Sequence, residues 1–217
     1  MVFLSKNILA CLMWMASKIY PYTLSERIFG YRDALYTMWI RYSVGHVGKN
    51  VKICKPCCIQ GDGQDNITIG DNTEIQKNSV IGCWKEYGNQ SFKPSIVIGH
   101  DCRIGEFNQI SSCNKITIGD GLLTGRFVYI GDNAHGGLSW EEASIPPAER
   151  ALKSKGEIKI GNNVWIGDKV TILGNVTIGD NVIIGANSVI THDVPSNCVA
   201  AGNPVKIVKR LNDDRKS

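Results

Sequence analysis

The stretch Ile160–Pro195 reads IGNNVW-IGDKVT-ILGNVT-IGDNVI-IGANSV-ITHDVP, six uninterrupted hexads that each open on isoleucine. An α-helix cannot hold this pattern on one side, because a turn of about 3.6 residues would carry the isoleucines around the axis. A sustained period of six predicts a parallel β-helix of hexapeptide repeats, whose coils bury one another's apolar edge. Further Ile-Gly pairs begin at Ile69, Ile81, Ile98, Ile104, Ile118 and Ile130. Within blocks they too are separated by multiples of six: 69 to 81, 98 to 104, 118 to 130. The first residue of each hexad is expected to point inward and stack on its counterpart one coil away. The Gly, Asp and Asn that follow it suit a corner with left-handed backbone. The fifth position is small or branched, as at Val164, Val170, Val176, Val182 and Ser188. Three hexads make one triangular coil.

Two stretches break the frame: residues 83–95, CWKEYGNQSFKPS, and residues 136–157, GGLSWEEASIPPAERALKSKGE. Flat coil faces offer little room for a site, so loops extruded from a rigid scaffold are where function is expected. The predicted class is all-β, in three parts. These are a helical N-terminal arm over 1–42, a β-helix over about 44–200 with the two excursions, and a basic C-terminal tail over 201–217.

Composition narrows the function. In 217 residues, 24 basic and 20 acidic side chains leave a charge of +4, far too balanced for a nucleic-acid binder. The eight cysteines are scattered, and the CxxC of Cys54–Cys57 has no second CxxC or histidine pair to complete a zinc site. Free thiols at this density suit a reducing compartment, so the expected location is cytoplasmic. The apolar run Ile8–Ala16, between Lys6 and Lys18, is shorter than the roughly 20 residues of a membrane span. It reads as an amphipathic helical arm rather than a signal peptide. Protein contact is its favoured role, and peripheral attachment to the inner face of a membrane is the alternative.

The run from Asn162-Asn-Val-Trp-Ile-Gly167 to Ala201-Gly-Asn-Pro-Val-Lys206 resembles the hexapeptide-repeat acyltransferases. Upstream, IGDNAHGG and the later ERALKSKG resemble the branch that O-acetylates polysaccharides, galactosides and maltose. The resemblance covers roughly 98–210. It implies left-handed coils, a homotrimer, and acetyl-CoA held in the cleft between subunits. It also implies a histidine that activates an acceptor hydroxyl for direct attack on the thioester, with no metal.

His135 is the candidate base. A sugar hydroxyl is a poor nucleophile near neutral pH, and histidine titrates where a base must work. Asp132, Asn133, Glu141 and Glu142 all lie near enough in sequence to orient its ring. The family pattern puts Trp165 beside the pantetheine channel and makes Asp168, Ala186 and Thr191 contact residues for CoA. Gly167 and Gly185 allow close backbone approach. Lys206, Lys209 and Arg210 would meet the phosphates, the bland alternative being an ordinary solvated tail. For the acceptor, the candidates are Asn108, Asn133, Trp140 and Glu142. Trp84, Tyr87 and Phe92 of the first excursion are also expected to reach the cleft. Where the family often has lysine after the threonine, this chain has His192. No HxxxxH occurs, which leaves a γ-carbonic anhydrase-like zinc site without support.

The function expected is an acetyl-CoA-dependent O-acetyltransferase acting on a sugar of a surface polysaccharide or its precursor. The alternatives are N-acetylation of an amino-sugar nucleotide or antibiotic and, in a different class, a non-catalytic β-helix scaffold.

Overall fold

The computed structural model describes residues 6–137 and 139–211. The start of the expected arm and the end of the expected tail lie outside the described residues. Two helices lead in, α1 (Lys6–Ile19) and α2 (Tyr22–Arg41). They are separate because Pro21 lacks an N–H and pushes the residue before it out of helical conformation. Pro21 itself, with φ −69° and ψ 153°, caps α2. Asp33, Thr37 and Ile40 form the buried stripe of α2, at the spacing that puts side chains on one helical face. Thr37 Oγ1 accepts from the Ile53 N–H at 2.8 Å, and Asp33 Oδ1 accepts from the Lys55 N–H at 3.1 Å, which fastens the helix to the first coil. None of α1 is buried.

The rest winds as a parallel β-helix with three faces. One sheet has six strands, from His46–Val47 to Val176–Ile178. A second has eight, from Lys52–Ile53 to Lys206–Arg210. The third has six, from Cys58–Gln60 to Val189–Ile190. Ile160 pairs with Ile178, Trp165 with Ile183 and Thr171 with Val189, the 18-residue repeat implied by three hexads. Earlier coils are longer: Ile98 pairs with Ile118, and Ile118 with Ile160. The second interval contains the larger excursion.

The isoleucine column forms the core, with Ile69, Ile81, Ile98, Ile118, Ile160, Ile166, Ile172, Ile178, Ile184 and Ile190 all at 3% exposure or less. Each contributes about 1.5–3 kcal/mol of apolar burial. The valines at the fifth position are buried beside them, so each hexad places two side chains inside.

The corners differ from expectation in one respect. Left-handed backbone is carried mainly by the fourth residue of the hexad, asparagine at Asn163, Asn175, Asn181 and Asn187 with φ between 55° and 65°. The glycine after each isoleucine has another cause. A Cβ on Gly161 would sit 2.5 Å from Asp180 Oδ1 and 2.8 Å from the Gly179 carbonyl carbon, so glycine is required where coils touch.

Two boundaries also move. The larger excursion begins at Asn133, in a strand Asn133–His135 that pairs antiparallel with Leu152–Ser154. Part of the expected tail is a strand: Lys206–Arg210 folds back antiparallel on Cys198–Ala201 and closes the second sheet.

Candidate active site

Asp132 turns the chain off the coil. Its side chain is buried, and its carboxylate accepts from Ser112 Oγ at 2.5 Å, the Cys113 N–H at 2.9 Å and the Asn114 N–H at 3.2 Å. These bonds hold the carboxylate against the neighbouring coil, and among the described residues it makes none to His135. Asn133 Nδ2 then donates to the Ser111 carbonyl at 3.1 Å, anchoring the strand that carries His135.

The first excursion is a hairpin, Glu86–Tyr87 against Gln90–Ser91, turned at Gly88 with φ 57°. It leans on the second excursion. The Gln90 amide donates to the Leu152 carbonyl at 3.1 Å and accepts from the Leu152 N–H at 2.7 Å. Leu152 is the residue paired with His135 across the second hairpin. Two segments far apart in sequence are thus tied together beside the candidate base.

His135 Nδ1 lies 3.1 Å from the Tyr87 hydroxyl, and the two rings meet edge-on at 5.2 Å. The same hydroxyl donates to the Ala148 carbonyl at 2.5 Å. A cavity of about 500 Å³ opens here, walled by Trp84, Tyr87 and Tyr129, with Gln109, Ser111, Asn133 and His135 supplying polar groups. Among the described residues, no aspartate, glutamate, lysine or arginine lines it. Burial first, and then the carboxylate of Asp132, pushes the Tyr129 phenol up, so that ring stays neutral as well. Aromatic faces with neutral hydrogen-bonding groups suit an uncharged polar ring bearing hydroxyls.

The CoA candidates stand on another sheet. Along the outer face of the second sheet, Lys52, Glu74 and Arg103 are followed in register by Leu123, Trp165, Ile183 and Val199. A charged column therefore becomes an apolar ridge, with Trp165 52% exposed in its middle. Lys209 pairs with Val199 and Arg210 with Cys198, and both cations line a hollow of about 250 Å³ with Ile183 and Val199. Lys206 lines a different hollow, with His192 and Asp193. Thr191 Oγ1 lies 3.2 Å from His192 Nδ1 on an exposed corner. Asp168 Oδ1 accepts from the Arg126 N–H at 2.8 Å, and Ala186 is exposed. Gly167 and Gly185 have structural reasons of their own: a Cβ would come within 2.7 Å of the Ala186 nitrogen or 2.8 Å of the Ala201 Cβ. None of these residues lines the His135 cavity.

Three acceptor candidates lie away from this cavity. Asn108 is buried, its amide donating to Thr124 Oγ1 and the Gly125 carbonyl while its oxygen accepts from the Val128 N–H, so it is spent inside the coil. Trp140 is 95% exposed and outside the cavity. Glu142 holds its own loop together, accepting from Lys153 Nζ at 2.5 Å and the Gly137 N–H at 3.0 Å. The Lys153 bond, foremost, keeps its carboxyl below the usual range. Asn133 alone of the four lines the cavity. Gln109, Ser111 and Tyr129 carry no sequence signal, because nothing in their spacing separates them from other outward strand positions. Among the described residues, no three His, Cys, Asp or Glu side chains are grouped to hold a metal.

A repeat scaffold with a histidine cavity and an exposed apolar ridge defines a class, and comparison with known proteins identifies it. A family model described as bacterial transferase hexapeptide (six repeats) matches residues 157–192. WbbJ of Escherichia coli K12, named as an O-acetyl transferase of lipopolysaccharide biosynthesis, is 33% identical over 174 residues, covering 77% of this chain and 83% of WbbJ. The galactoside O-acetyltransferase of the same organism is 42% identical over 154 residues, 69% of this chain and 66% of that protein. The chain belongs to the hexapeptide-repeat acyltransferases, and it is an acetyltransferase of that family with O-acetyltransferases among its relatives. Among solved structures, the Vibrio cholerae acetyltransferase VCA0836, complexed with acetyl coenzyme A, superposes with TM-score 0.55 at 25% identity, over 83% of this chain and 78% of that one. The Bacillus cereus N-acyltransferase AntD, with dTDP and 3-hydroxybutyryl-CoA, gives 0.62 at 22%, over 82% and 88%. The architecture is a left-handed parallel β-helix.

Proposed function

We propose that this acetyltransferase moves an acetyl group from acetyl-CoA to a hydroxyl of a neutral sugar in a surface polysaccharide or its precursor. The observation that carries the reading is the cavity at His135, aromatic on its walls and, among the described residues, lined by no aspartate, glutamate, lysine or arginine. His135 Nε2 takes the hydroxyl proton as the sugar oxygen forms the new ester bond. The proton then passes to the departing thiol sulfur, so no acyl-enzyme is formed. A positioned base of this kind contributes about 10² to 10⁴ in rate. Acetyl-CoA supplies the activated acyl carbon. The ridge Leu123–Trp165–Ile183–Val199 offers its pantetheine an apolar wall, and Lys209 and Arg210 offer cations to its phosphates.

The ridge and the His135 cavity share no lining residue, which supports a donor site completed by a second copy of the chain. A homotrimer, as the family resemblance implies, satisfies this. The competing reading, N-acetylation of a nucleotide-linked amino sugar, is favoured by the likeness to AntD. It asks for cations near the sugar to meet a diphosphate, and no lysine or arginine among the described residues lines the cavity.

The arm gives the enzyme a place to work. Ile8, Leu12 and Ile19 fall at the spacing that shares one face of α1, and these three together with Met13 and Trp14 are all exposed. The first 25 residues hold Lys6 and Lys18 and no acidic residue. Such a helix suits the surface of an anionic membrane; no helix among the described residues is long and apolar enough to cross one.

Titrating acetyl-CoA calorimetrically against the mass from light scattering tests donor and assembly together. One CoA per subunit of a trimer is expected. Thiol release with methyl galactoside, methyl glucoside and a dTDP-linked amino sugar then tests the acceptor. Turnover with the amino sugar alone would overturn the O-acetyl reading.

A further inference from the structure

The Tyr87 hydroxyl stands between two acceptor-capable groups and has one proton to give. The Ala148 carbonyl oxygen lies 2.5 Å from it and His135 Nδ1 lies 3.1 Å from it. A carbonyl oxygen can only accept. If the phenol proton pointed at the ring instead, two oxygens would face each other at 2.5 Å with no hydrogen between them. The proton therefore belongs to the Ala148 bond, and the hydroxyl turns its lone pairs toward Nδ1. The hydrogen in the Tyr87–His135 contact must then come from the ring.

We propose that Tyr87 is a positioning residue that fixes His135 in the tautomer protonated on Nδ1, leaving the Nε2 lone pair free to act as the base. Neutral imidazole carries one N–H, so fixing it on one nitrogen frees the other. The same bond serves the reaction. When Nε2 takes up the acceptor's proton, the ring becomes a cation and Nδ1–H becomes a stronger donor to an oxygen already oriented to receive it. Its orientation comes from the neighbouring loop, since Ala148 sits in the second excursion and Tyr87 in the first. The paired bonds between Gln90 and Leu152 keep the two excursions at this distance. The interruption at 83–95 is thereby part of the catalytic unit, although it carries no group that reacts.

This proposal rests on His135 as the base, and its test separates the two. Full-length protein labelled with ¹⁵N at histidine reports ring protonation by NMR above the histidine titration range, and His135→Ala assigns the signal. Wild-type protein is expected to show the proton on Nδ1, and Tyr87→Phe to move His135 toward the Nε2-protonated form. Turnover in Tyr87→Phe is expected to fall about tenfold, the scale of one hydrogen bond, with the KM for acetyl-CoA unchanged. A wild-type ring protonated on Nε2, or a tautomer unmoved by Tyr87→Phe, overturns the proposal. The wild-type spectrum decides even if the variant folds poorly. Full turnover in His135→Ala overturns the base instead and leaves the tautomer result standing.

Discussion

Between Ile158 and Ile190, rank in the hexad sets each residue's environment: first and fifth inside, fourth at the left-handed corner, glycine where coils touch. Between Asn133 and Glu157 no such rule operates. That excursion has one buried apolar side chain, Leu152, among its described residues, a four-residue helix Trp140–Ala143, and a Lys153–Glu142 bond at 2.5 Å. The coil is a stack of repeats whose stability comes from neighbours above and below. The excursion borrows its order from the coil through Asp132 and from the other excursion through Gln90. The coil carries the stability and the excursion the candidate base, so a change confined to the excursion should leave the coil largely intact.

The largest break is expected in the coil. Ile178→Asp would bury an unpaired carboxylate in the isoleucine column and cost more than about 4 kcal/mol, abolishing the cooperative melting transition. Trp140→Asp, in the excursion, should stay within about 0.5 kcal/mol of wild type in the same melt. A folded Ile178→Asp protein would show that the register is wrong.

A middling effect is expected on the outer ridge. Trp165→Ala should weaken acetyl-CoA by tenfold or more, since a large aromatic side chain contributes about 1.5–3 kcal/mol when covered, and leave melting nearly unchanged. Lys209→Glu should weaken it less and in a salt-dependent way, because exposed charges are screened over about 10 Å at ordinary ionic strength. Affinity indifferent to salt would remove Lys209 from the phosphate site.

The smallest effect concerns the thiols. Burial pushes Cys83 and Cys113 up to about 12, with Asp65 and Asp132 respectively adding to it. Both stay protonated at neutral pH, where the thiolate is the reactive form. Exposed Cys11 and Cys58 should therefore take up an alkylating reagent, while Cys83 and Cys113 react only on unfolding. Mass spectrometry of the labelled peptides reads this directly.

The sequence made the coil legible because a repeat states its environment many times over; the isoleucines and the six-residue period were enough. It also marked where the frame breaks, and it singled out His135 and Trp165. What it could not show is how the breaks meet. Tyr87 and His135 are 48 residues apart, and only the coil's winding brings their hairpins side by side. Asn108 misled for a related reason: asparagine serves equally as a ligand for sugar and as a bracket between coils, and burial decides which. The glycines misled in cause, since residue type alone does not distinguish a left-handed backbone from a close approach.

The most direct test of the account compares His135→Ala with wild type in two assays on the same preparation: acetyl-CoA affinity by calorimetry, and acetyl transfer to a neutral glycoside followed by thiol release. The account predicts affinity within about twofold of wild type and turnover lower by about 10² to 10⁴. Turnover equal to wild type with intact binding would contradict it, and the acetyl-transfer centre would have to lie away from this cavity.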